Sequence, residues 1–145
     1  METKPNFLHL TSYLFVYGTL QSGHGNNDVL EKHSSMYLGP AYTKPDYKLI
    51  NLGHFPGLIG GKYVVHGELY KISSAVLSAC DWLEGHPDFY KRELIDVFVQ
   101  SKNPSDIYEV NKVWAYIYQN SRGDDLSLDS HLSGGRWPPA VREAS

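Results

Sequence analysis

The chain holds a single cysteine, Cys80, so no disulfide can form within it. It contains no apolar run near the twenty residues that a membrane-spanning helix needs. It has no long basic run either: 13 Lys and Arg against 16 Asp and Glu leave a net charge of −3. Nucleic-acid binders usually carry a basic patch, so no nucleic-acid partner is expected. Residues 1–10 lack the charged start and apolar run of a secretory signal. These missing signals point to a cytoplasmic protein without membrane association. The 7 histidines show no H-x-x-x-H or paired Cys/His spacing, so no metal site is expected. No internal repeat and no linker rich in Pro, Gly or Ser divides the chain. Its 145 residues fit one domain, with a core over about residues 12–120 and an irregular tail over 121–145.

Aromatic residues are plentiful at 13%, and 11 of them are tyrosines. Such side chains suit strands, and their polar tips also suit pocket walls. Residues 12–17 form an apolar, aromatic run ending at Gly18, which reads as a buried strand entering a turn. Residues 18–27 are loop chemistry, after which Asn27 caps a short helix. Strands are expected over 36–42, 47–52, 63–70, 90–99 and 112–119, with 55–61 a glycine-rich connection. Gly67 interrupts its strand as a bulge or a point of close approach. In the last strand Val113, Ala115 and Ile117 share one face; Trp114, Tyr116 and Tyr118 share the other.

One helix is strongly marked, over residues 74–84. Ser73 is its N-cap, Ile72 and Leu77 stand at staple spacing, and Gly85 and Pro87 end it. Val76, Leu77, Cys80 and Leu83 recur on one stripe, which makes Cys80 a structural thiol. Many strands with few helices indicate an α+β domain built on a small mixed sheet or barrel.

Glu84 is out of place at the end of that helix, where the dipole disfavours a carboxylate by roughly 0.3–1 kcal/mol. An exposed acid tolerates this. Alternatively the dipole and burial raise its pKa toward that of a general base working near neutral pH. The turn after Tyr17 is equally double-sided. It is neither a dinucleotide fingerprint nor a Walker loop. Its successive N–H groups suit a carboxylate or a developing oxyanion.

The surroundings of these two features are specific. F-V-Y-G-T-L-x-x-G-x-x-N spans residues 15–26, H-G-E-L-Y spans 66–70 and D-W-L-E-G-H-P-D-F-Y-K-R spans 81–92. V-W-A-Y-I-Y follows at 113–118 and S-G-G-R-W at 133–137. In this order they resemble the gamma-glutamylcyclotransferase-like family, which includes gamma-glutamylamine cyclotransferases and AIG2-like proteins. The compact length and the D-x-L-E-G-H-P form are closer to the gamma-glutamylamine and AIG2-like branches.

The resemblance implies a small mixed β-barrel with few helices and no cofactor or metal. It implies ring closure of a gamma-glutamyl amine or amide to 5-oxoproline, with release of the amine. Glu84 matches the catalytic acid/base, and Tyr17, Gly18, Thr19 and Leu20 match the substrate-binding loop. Tyr118 matches a pocket-lining tyrosine, while Asn26 and Arg92 match bracing positions. The substrate supplies the nucleophile, so the protein needs no Ser, Cys or Lys for attack. The expected partner is then a small-molecule gamma-glutamyl substrate. The competing reading is a protein on the same scaffold that binds a metabolite or nucleotide without turning it over.

Overall fold

The computed structural model describes residues 9–31, 35–101, 103, 105–120, 123, 126 and 130–137. Its strands are β1 (Leu10–Val16), β2 (Ser35–Thr43), β3 (Tyr47–Asn51), β4 (Pro56–Gly60), β5 (His66–Ser73), β6 (Tyr90–Gln100) and β7 (Ile107–Tyr118). Two α-helices accompany them, the single-turn α1 (Asp28–Glu31) and α2 (Ser74–Glu84).

The strands hydrogen-bond in the order β1-β5-β2-β6-β7, and a parallel pairing of Tyr13 with Val113 and Leu14 with Trp114 joins β1 back to β7. Five strands therefore close into a mixed barrel of the expected α+β class. The β3–β4 hairpin extends from β7 through one parallel bridge, Leu58 to Ile117.

Period-two alternation sorts the side chains into two cores. Phe15, Leu69, Ala41, Val97, Val99, Val113 and Ala115 fill the barrel. Leu14, Val16, Tyr70 and Ile72, with Tyr116 and Tyr118, point outward under Val76, Leu77 and Cys80 of α2. The two expected faces of β7 thus serve two different cores. At about 25 cal/mol per Å² of apolar surface, burying each Val, Leu, Ile or Phe side chain among them contributes on the order of 2 kcal/mol before entropy is counted. Gly67 has no bulge beside it. A Cβ there would lie 2.2 Å from the Val16 carbonyl oxygen and 2.9 Å from the Phe15 ring, so close approach explains the glycine.

Several boundaries differ from the sequence expectation. Residues 56–60, read as a connection, form β4; its glycines let the chain pass close to its neighbours, and a Cβ on Gly57 would meet the Tyr118 side chain at 3.0 Å. The fifth strand begins at His66 rather than at residue 63, and Tyr63 makes only an isolated bridge to Tyr47. The last strand begins at Ile107, five residues early, because its polar start pairs with β6. Asn27 does not cap α1. It lies in a short 3-10 turn, and its buried amide donates instead to the Leu20 carbonyl and the Tyr70 hydroxyl. Leu83 leaves the buried stripe of α2 and is 37% exposed.

In the expected tail, residues 130–137 have no regular strand or helix but dock on the barrel. Leu132 N–H donates to Leu49, and Gly135 accepts from His66 N–H. The remainder of the tail mostly lies outside the described residues.

Candidate functional site

The site is set by the end of one helix. The Ser73 side chain accepts from Val76 N–H and starts α2. Gly85 ends it in the left-handed region at φ 64°. His86 N–H donates to Asp81 and Gly85 N–H to Trp82, a paired closure that satisfies the last carbonyls. The chain then turns sharply into β6, leaving Glu84 beside the Phe89 and Tyr90 rings.

Glu84 shares a cavity of about 310 Å³ with Tyr17, Gly18, Thr19, Leu20 and Asn26. Val16, Phe55, Pro56, Leu83, Phe89, Tyr90 and Tyr116 complete most of the wall. That volume is at the lower end for small-molecule sites, and its mostly apolar lining is typical of them. Burial pushes the Glu84 carboxyl from an ordinary 4.5 up to about 7. Among the described residues its side chain has no hydrogen-bond donor and no cation as partner. Desolvation is therefore uncompensated, which is what lifts the value. The exposed-acid reading of Glu84 does not describe this residue.

The turn at residues 17–20 is held rigidly. Tyr17 and Leu20 are buried in the two cores. The Tyr17 hydroxyl donates to the Tyr116 carbonyl at 2.6 Å and accepts from Leu58 N–H at 3.3 Å. The Gln21 amide donates to the carbonyls of Tyr17 and Gly18. Asn26 donates to the Thr19 hydroxyl at 2.8 Å. A Cβ on Gly18 would stand 2.9 Å from the Pro56 ring, so only glycine lets the turn close against β4. The N–H groups of Gly18, Thr19 and Leu20 find no acceptor among the described residues. All three residues line the cavity that Glu84 shares.

Two residues singled out in the sequence stand behind that wall rather than on it. Arg92 donates through Nε to both Asp81 oxygens, at 2.8 and 3.1 Å, and its guanidinium lies 4.2 Å from the Trp114 ring centroid. Asp81 in turn accepts from the hydroxyl of the cavity residue Tyr116 at 2.7 Å. Tyr118 is buried and packs edge-on against Phe89 and Tyr90, which do line the cavity. His86 does not meet Glu84; its Nδ1 accepts from Arg92 N–H. Cys80 is fully buried, and burial followed by the nearby acid charges pushes its thiol up to about 12, leaving it unreactive at neutral pH.

Tyr90 and Tyr116 were not expected on the wall. Tyr116 had a readable signal, since it shares a strand face with Tyr118 and faces the helix that carries Glu84. Phe55 and Pro56 had none, because they arrive through the unforeseen strand β4.

Residues 14–139 match the family described as "Gamma-glutamyl cyclotransferase, AIG2-like". The chain belongs to this family. A Vibrio cholerae relative is 37% identical over 124 residues, covering 86% of this chain and 93% of its own. The gamma-glutamylcyclotransferase family protein YtfP of Escherichia coli K12 is 33% identical over 124 residues, covering 86% of this chain and 94% of its own. Among solved structures, an AIG2-like protein from Mus musculus superposes with a TM-score of 0.67 at 27% identity, over 92% of this chain and 98% of that one. Membership places the chain among the gamma-glutamylcyclotransferase-like enzymes. No helix among the described residues is long and apolar enough to cross a membrane.

Proposed function

We propose that the protein cyclises the gamma-glutamyl group of a small gamma-glutamyl amine or amide to 5-oxoproline, releasing the amine, with Glu84 as general acid/base. One observation carries this reading: an uncompensated carboxyl with a value near 7 shares a small cavity with the free amides of a tight turn.

Glu84 takes a proton from the substrate's alpha-ammonium. The freed nitrogen attacks the gamma-carbonyl carbon, and a five-membered ring closes. The carbonyl oxygen becomes an oxyanion, for which the N–H groups of residues 18–20 are ready donors. Glu84 then returns that proton to the leaving nitrogen as its bond to carbon breaks and the oxyanion re-forms the carbonyl. The surplus proton on the ring nitrogen passes by way of the freed Glu84 carboxylate to the departing amine, which leaves as its ammonium. Proximity is intrinsic to the substrate, so the protein need only hold it curled and carry protons from the attacking to the leaving nitrogen. General acid–base catalysis of this kind contributes about 10² to 10⁴-fold.

The test is incubation of the purified protein with gamma-glutamyl amines and gamma-glutamyl amino acids, followed by mass spectrometry of the products. Release of 5-oxoproline with an equal amount of amine supports the reading, and the fastest substrate names the leaving group. Recovery of every compound intact from folded protein overturns it.

A further inference from the structure

The loop over residues 17–27 is bonded mostly to itself. Gln21 N–H donates to the Gly18 carbonyl, His24 N–H to Gln21 and Asn27 N–H to His24. The Gln21 side chain returns to the Tyr17 and Gly18 carbonyls, Asn26 to the Thr19 hydroxyl and Asn27 to the Leu20 carbonyl. A loop so closed on itself moves as one piece, and its place relative to Glu84 depends on how it is fixed to the barrel.

Its two ends are fixed by the Tyr17 hydroxyl and by the Asn27 amide on Tyr70. Between those ends, among the described residues, one side chain from outside the loop bonds to it, Glu68 of β5. Ser22 N–H donates to Glu68 Oε1 at 2.6 Å and the Ser22 hydroxyl donates to Oε2 at 2.5 Å, so both carboxylate oxygens grip one residue. Such charge-assisted bonds are stronger than neutral ones. The strand is well placed for this. Glu68 pairs with Val16, the last residue of β1, and the close approach at Gly67 presses β5 against that point. Tyr70, which accepts from Asn27, lies two positions on and on the same face.

Glu68 does not line the cavity of Glu84. With Gln21, Ser22 and His24 it lines a second cleft, which has no residue in common with the first. The same loop therefore lines one cavity with residues 17–20 and the other with residues 21, 22 and 24.

We propose that Glu68 is a positioning residue for turnover: by gripping Ser22 in the second cleft, it holds residues 18–20 in place at the cavity they share with Glu84. This rests on the cyclotransferase reading for the reaction it serves.

Two substitutions separate the grip from the charge. Glu68→Gln removes the charge but keeps both bonds, since the amide oxygen accepts from Ser22 N–H and the amide nitrogen donates to the Ser22 hydroxyl. Glu68→Leu has similar size and keeps neither. The experiment measures kcat/KM for 5-oxoproline release, corrected to folded protein from thermal unfolding, and the amide exchange of Gln21, Ser22 and His24 by NMR. Glu68→Leu is expected to lower kcat/KM by about tenfold and to speed loop exchange by a similar factor. Glu68→Gln is expected to stay within about twofold of wild type in both. Adding Ser22→Ala to Glu68→Leu should slow turnover no further. A merely structural role would lower the unfolding midpoint and leave kcat/KM per folded molecule unchanged.

A Glu68→Leu rate like that of wild type, loop exchange that does not change, or a Glu68→Gln protein as slow as Glu68→Leu overturns the proposal. Wild-type protein that releases no 5-oxoproline overturns the cyclotransferase reading before any variant is compared. The exchange pattern alone then decides the grip: faster in Glu68→Leu and unchanged in Glu68→Gln keeps it, and any other pattern removes it.

Discussion

Glu84 shows how a single residue can be out of keeping with its element and in keeping with its task. The helix end and the apolar wall both disfavour its charge, and the charge is what a base must carry. This has a consequence for stability as well as rate. In the unfolded chain Glu84 ionises near 4.5, and in the folded protein near 7. Between those values the folded state holds the extra proton, so the group's contribution falls as pH rises from about 4.5 to about 7 and is flat above. A Glu84→Gln protein escapes that loss. It is expected to gain about 1–3 kcal/mol on the wild type between pH 5 and pH 8, after a discount for partial exposure. Urea unfolding at the two pH values measures this, and an unchanged difference would mean that the carboxyl is solvated. The suspect carboxylate was legible in the sequence as an acid where a base belongs. Its burial was legible only as one of two alternatives, because Phe55, Pro56 and Phe89 join it in the cavity wall only through tertiary packing. Arg92 and Tyr118 were legible only through the family resemblance, and nothing local shows that each meets the cavity wall through another side chain, Arg92 by way of Asp81 and Tyr116 and Tyr118 by way of Phe89 and Tyr90.

At the scale of elements, α2 was read most fully, since caps are written in short stretches of chain. Ser73 and Gly85 are where the signals put them. Removing the cap by Ser73→Ala is expected to cost about 1 kcal/mol of stability while leaving turnover of the folded protein within about twofold. Chemical denaturation and steady-state rates on one preparation check both halves. The strand β4 escaped notice because its glycines mimic a connection. Its place depends on distant partners: the pairing with β3 and the Tyr90 hydroxyl on the Pro56 carbonyl. Gly67 was legible only as one of two alternatives, and the Val16 carbonyl decides between them. Gly67→Ala forces β1 and β5 apart and is expected to destabilise by about 3 kcal/mol or more. An unfolding midpoint near that of wild type would refute the close approach.

Across the whole molecule, the barrel closes through a parallel pair between β1 and β7, strands from opposite ends of the described chain. No local signal marks such a pairing, so the sequence supports a barrel class but not its strand order. The hairpin β3–β4 stands outside the closed ring, joined to it by the single bridge to β7 and by the Tyr17 and Tyr90 hydroxyls, and to the segment 130–137 by Leu132 N–H on the Leu49 carbonyl and the Ile50–His131 bridge. Its amides are expected to exchange with solvent through a local opening at lower free energy than those of β1, β5 and β7. Tyr90→Phe should speed that exchange by about fivefold, the equivalent of one modest hydrogen bond. Native-state hydrogen exchange would show this, and uniform protection across all seven strands would contradict it.

The measurement that bears most directly on the central claim is the pH dependence of kcat/KM for 5-oxoproline release, in wild type and Glu84→Gln side by side. The wild-type value should rise through a limb near pH 7 as the carboxyl ionises. The Glu84→Gln protein, folded, should be slower by about 10² to 10⁴-fold and show no such limb. A Glu84→Gln protein that keeps the limb and a rate within a few-fold of wild type would contradict the account.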